Sequence, residues 1–249
     1  MALGIGALGV ASLTQHVEGE KTATSSALWW LWLPLAVFLV LSLLYWWVPA
    51  LYRTWFEGEQ GLLELAQFAL AVAAMGVALW TLRAPGLKGK RPLFAWVSLL
   101  ALGCLYIAGE EVSWGQHLFF WQTPETWGAL NDQNETNLHN ISNLLDQVPR
   151  TLLELAVVFG GILLPLIMLR RPAIGRSKWG VILPSLTLLP TAVLVELSRA
   201  PERLGELFVG QSVFFVRPSE VQELYIIYFL LLYAVLLKRR LYESAAEQA

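Results

Sequence analysis

Residues 109–147, GEEVSWGQHLFFWQTPETWGALNDQNETNLHNISNLLDQ, carry the side chains of this chain best suited to chemistry. Glu110 and Glu111 form an adjacent carboxylate pair, fit for general-base work or for ligating a metal ion. Ser113 and His117 follow. If the helix before them continues past Gly109, then Glu110, Ser113 and His117 project from one face at i, i+3 and i+7. Glu111 then sits about 100° away on the same helix. Further along, His139 lies between Asn137 and Asn140. Histidine titrates near neutrality, which suits a proton carrier or a ligand. The amides of Gln116, Asn137 and Asn140 can orient a substrate or polarise a carbonyl. The candidate catalytic residues are therefore Glu110, Glu111, Ser113, Gln116, His117, Asn137, His139 and Asn140. A divalent transition metal is the candidate cofactor, although His117 and His139 alone are fewer ligands than a catalytic zinc takes.

The elements that position these residues are membrane helices. Of 249 residues, 56% are hydrophobic and 14% charged, and the mean hydropathy is +0.55. A soluble domain is nearer a quarter charged, and a disordered chain lacks this apolar content. The single cysteine, Cys104, excludes an internal disulfide and a Cys-rich zinc site. A net charge of −2 gives no footprint for nucleic acid. The expected fold is all-α: a polytopic membrane protein with spans at 28–50, 61–83, 93–109, 151–170, 179–198 and 222–237. Residues 1–27 form an N-terminal tail without the basic region of a signal peptide, 110–150 an outer connector, and 238–249 a second tail.

The lysines and arginines set the orientation. The loops RAPGLKGKR (83–91) and RRPAIGRSK (170–178) each hold four basic residues and no acid, and Lys238, Arg239 and Arg240 open the C-terminal tail. A six-span arrangement with both termini cytoplasmic puts all of these on one side. Trp29, Trp30, Trp32, Trp80, Trp96 and Trp179 then lie near inner ends. Trp46, Trp47, Trp55, Trp114, Trp121 and Trp127 lie near outer ends, which gives two aromatic belts. The expected location is a bacterial inner membrane, with the connector in the periplasm.

Within that connector, 137–147 reads as a short amphipathic helix. Leu138, Ile141, Leu144 and Leu145 would form its apolar stripe, with Asn137, His139, Asn140, Asn143 and Asp146 opposite. Such a helix lies in the interface with its polar face in water, or else turns His139 toward Glu110 and His117. Other acids reach the same level. Glu64 lies inside the apolar run of the second span and needs a partner or a proton. Glu154 closes a capping-box pattern, Thr151-Leu-Leu-Glu154, and Glu223 follows another, Ser219-Glu-Val-Gln222, at a helix N-terminus that suits an acid, so both read as structural. Pro165, Pro184 and Pro190 should kink spans four and five.

The runs Gly109–Gln116 (GEE-x-SWGQ) and Asn137–Asn140 (NLHN) resemble an uncharacterised group of bacterial multi-span membrane proteins. That resemblance implies an architecture and no activity. Glu110-Glu111 and His139-Asn-Ile-Ser-Asn143 are similar to motifs of CAAX-type (CPBP) intramembrane proteases. Gly115 stands where those enzymes have Arg, and their Phe-x-x-x-His motif is absent. Ser113 and His117 resemble the Ser-x-x-x-His motif of alkaline-ceramidase-like hydrolases, whose C-terminal His-x-x-x-His motif is missing here. Three functions are open: a membrane-embedded hydrolase or transferase acting on a lipid or lipid-linked substrate, a non-catalytic subunit docking a membrane-protein partner, or a transporter. Ionisable residues gathered at one end count against the last.

Overall fold

The computed structural model describes residues 26–56, 61–130, 135–138, 141–208 and 218–246. His16, His139 and Asn140 lie outside them, as does the tail before residue 26. All regular elements among the described residues are helical. Six are long and apolar enough to cross a membrane: α1 (Leu28–Trp47), α2 (Leu62–Thr81), α3 (Arg91–Glu111), α4 (Gln147–Arg170), α5 (Gly180–Ala200) and α6 (Pro218–Glu243).

α6 is the central helix and α1 the most peripheral: 61% of the apolar window of α6 is buried, against 11% for α1. Consecutive spans run in alternating directions. Gln67 of α2 meets Glu220, and Lys238 caps the ring of Trp80, so α2 and α6 are parallel. Tyr225 and Tyr228 donate to the carbonyls of Pro34 and Trp29, which makes α1 antiparallel to α6. Small residues let α2, α3 and α6 approach closely, with Ala71, Ala108 and Ile227 in one buried cluster. Gly161 of α4 does the same, since a Cβ there would lie 2.6 Å from Phe229.

The breaks fall at prolines, as the sequence leads one to expect. A π-helical turn, Val158–Leu163, precedes Pro165, and another, Leu28–Trp32, precedes Pro34. A proline removes an amide donor, and local π geometry absorbs the displaced carbonyls. α5 is interrupted rather than kinked. Short 3-10 turns at Gly180–Ile182 and Leu186–Leu188 flank an extended stretch, and α-helix begins only at Leu189. The carbonyls freed there are taken by Tyr233, which donates to Ile182, and by Arg240, which donates to Gly180, Val181 and Leu183. Unpaired backbone in a bilayer is costly, so these contacts permit the break.

Two local expectations are corrected. Residues 137–147 are not one amphipathic helix. Asn137 and Leu138 are non-helical, Ser142 is the N-cap and accepts from the amide of Leu145, and the helix Asn143–Val157 runs straight into the fourth span. Ser142 is the better cap because its hydroxyl reaches an otherwise orphaned amide. The capping box at Thr151–Glu154 also fails, because Thr151 is already mid-helix. Glu154 pairs instead with Arg203 at 2.5 Å, and Glu223 pairs with Arg150.

Candidate functional site

The third span does not carry Ser113 and His117 onward as helix. α3 ends at Glu111, and the chain then turns through Ser113, Trp114 and Gly115, all with positive φ (46°, 54° and 105°). Positive φ disfavours residues with a Cβ, so this turn stores strain unless its surroundings hold it. Three contacts hold it. The ring of Trp114 folds back over Gly109, where a Cβ would lie 2.9 Å from the indole, and its Nε1 donates to Glu110 Oε1 at 2.6 Å. The amide of Gly115 donates to the carbonyl of Val112. The hydroxyl of Thr136 donates to the carbonyl of Ser113 at 2.6 Å.

The turn, rather than a shared helical face, brings Ser113 and His117 together. Glu135, Thr136, Asn137 and Leu138 then return across it as an extended strap. Glu135 is the hub, a residue that the sequence reading did not single out. Its Oε2 accepts from Ser113 Oγ at 2.8 Å and from Asn137 Nδ2, and its Oε1 lies 3.0 Å from His117 Nε2. Ser113 Oγ also lies 3.3 Å from that Nε2, and Asn137 Nδ2 donates to Ser113 Oγ at 3.2 Å. Ser113 and Asn137 are buried at 0% and 1% exposure, and Glu135 at 6%. A carboxylate this buried is stable only when paired and hydrogen-bonded, which these three side chains achieve.

Both oxygens that approach His117 meet the same ring nitrogen. A Ser–His–acid relay needs the serine on one nitrogen and the acid on the other. The arrangement is therefore a triangle centred on the carboxylate, and the residue that accepts the Ser113 proton is Glu135.

The remaining candidates fall into three groups. Gln116 anchors the strap, since its Oε1 accepts from the Thr136 amide at 2.7 Å and its Nε2 donates to Thr123. Glu110 is buried and also binds the strap, with Oε2 accepting from the Leu138 amide at 2.8 Å. Glu111 lies about 100° round the helix from Glu110, in the field of Glu223, Glu64, Glu220 and Arg150. The acid pair is thus split between two polar assemblies, and Glu64 belongs with Glu111 rather than with His117. His139 and Asn140 lie outside the described residues.

Among the described residues no group of three or more His, Cys, Asp or Glu side chains converges to hold a metal ion. His139, the second histidine of that expected donor set, lies outside the described residues. Phe119 and Phe120, beyond the turn, are 74% and 77% exposed, and Phe119 stacks on Trp121 at 6.0 Å. The sequence signal for Glu135 was its place two residues before Asn137, in the run Glu135-Thr-Asn-Leu138. Comparison with known protein families, with curated proteins and with solved structures finds no match for this chain.

Proposed function

We propose that this protein is a bacterial inner-membrane hydrolase or transferase whose site opens toward the periplasm and acts on a lipid or lipid-linked substrate. The observation that carries the reading is the His117–Glu135 pair at 3.0 Å, set against Ser113 in a strained turn. Strain of this kind concentrates at functional sites, and a base oriented by a second titratable group is the usual arrangement for proton transfer. Glu135 takes the proton of Ser113 or of a bound water as that oxygen bonds to the substrate, and the same proton passes, directly or through His117 beside it, to the leaving group as the bond to that group breaks. The Asn137 amide stabilises charge on the reacting oxygen. Because Ser113 is fully buried, substrate entry requires the strap 135–138 to lift. A lipid reaches this depth by lateral diffusion.

The periplasmic orientation rests on the segregation of charge. The basic residues of 83–91, 170–178 and 238–240 gather at one end of the bundle and the acidic connector at the other. With Cys104 replaced by Ser, Glu125→Cys should react with an impermeant thiol reagent in intact spheroplasts, and Lys88→Cys should not. The reverse pattern overturns the orientation.

The activity is tested by comparing lipid extracts, by mass spectrometry, from membranes overproducing the wild type, His117→Ala or Glu135→Gln. The expected result is a lipid or lipid-linked species altered by the wild type alone, with the variants still folded in detergent. Identical extracts from all three overturn it and favour a non-catalytic subunit. The closed, mutually satisfied network and the exposed Phe119 and Phe120 suit that second reading.

A further inference from the structure

The face of α3 turned away from the Ser113 triangle carries a second polar assembly. Glu111 sits at the C-terminal end of its helix, where the macrodipole disfavours negative charge. Among the described residues, Glu223 and Glu220 of α6 and Glu64 of α2 bring negative charge to its surroundings and Arg150 of α4 brings positive charge. Arg150 is paired with Glu223.

The register of the helices places a fifth group among them. Ala71, Ala108 and Ile227 pack together below this assembly. Gln67, Glu111 and Glu223 lie one turn beyond those three residues on the same faces. Gln67 is wholly buried, and its Nε2 donates to the carbonyl of Glu220 at 2.8 Å. That bond fixes the amide so that Oε1 points away from Glu220, where no described residue donates to it. A buried acceptor without a donor costs free energy and calls for a partner. At the level of Glu111 and Glu223 in the helix register, its natural complement is a cation.

The donor set is oxygen only, which selects a hard cation. No three carboxylates among the described residues converge as a divalent centre would need. One or two carboxylates with an amide carbonyl suffice for a single positive charge.

We propose that the junction of α2, α3 and α6 at Gln67 and Glu111 binds a monovalent alkali cation. The site is distinct from the Ser113 triangle, and its test does not depend on any catalytic activity.

The test is thermal unfolding of the purified full chain in detergent, in sodium chloride or choline chloride at equal ionic strength. Ligand that binds only the folded state raises the melting temperature saturably. At a hundred times the dissociation constant the rise should be roughly 5 °C or more. Gln67→Ala and Glu111→Gln should lose the sodium-dependent rise, while His117→Ala keeps it. Equilibrium binding of radioactive sodium to the wild type should give one ion per chain, so the proposal stays testable if Glu111→Gln does not fold. Equal melting of the wild type in the two salts, no bound sodium, or a sodium shift that survives in Gln67→Ala overturns the proposal. Stabilisation by lowered pH without any sodium effect does so too, since it marks a site for a proton alone.

Discussion

At the basic end of the bundle Arg240 and Lys238 hold parts of the fold together. Arg240 donates to three carbonyls where α5 is broken, and Lys238 lies 3.6 Å from the centroid of the Trp80 ring. At the acidic end most charged side chains serve one another. Glu154 meets Arg203, Glu223 meets Arg150, and Glu135 meets His117. Glu110 there also holds a backbone amide. A guanidinium committed to carbonyls has one protonation state and one job. A carboxylate that shares its oxygens among a hydroxyl, an amide and an imidazole can exchange a proton without losing its place. On the proposed reading the two ends divide the work, with architecture at one and chemistry at the other.

The sharpest way to break this comparison is at the hub of the acidic end. Glu135→Ala leaves Ser113, Asn137 and His117 without their common acceptor and should cost about 3 kcal/mol in a denaturant titration in detergent. A loss below about 1 kcal/mol would mean that the triangle is not formed in solution. The matching test at the basic end is Arg240→Ala. It takes the guanidinium from three half-buried carbonyls and should cost about 2 kcal/mol, with no effect on any lipid change produced by the wild type. Gly115→Ala probes the strained turn. Its φ of 105° and a Cβ 2.9 Å from Trp121 should together cost about 1–2 kcal/mol. Lys238→Gln is the mildest, removing a cation–π contact for about 0.5–1 kcal/mol in the same titration. If this ranking inverts, the division of work between the ends is wrong.

The spans were legible because an apolar run of twenty residues has few alternatives to a membrane helix. The placement of Ser113 and His117 was not. Whether they share a helical face with Glu110 depends on where α3 stops. That is decided by the Trp114 ring folding over Gly109, a contact that no helical periodicity contains. Glu135 was missed for a related reason. Its role comes from the return of the strap 135–138 across the turn, a contact over some twenty residues of connector. The capping pattern at Thr151 misled because Ser142 offered a better start nine residues earlier. Asn137 stands among the candidates on its residue type, but its partners are Ser113 and Glu135, and its segment is an extended strap rather than a helix.

The claim at the centre of this account is that the two separated runs, 109–117 and 135–138, form one coupled site. A double-mutant cycle on His117→Ala and Glu135→Ala, read from unfolding free energies in detergent, tests it most directly. The account predicts a coupling energy of at least about 1 kcal/mol between the two positions. Effects that add to within about 0.5 kcal/mol would show that His117 and Glu135 act independently and would contradict it.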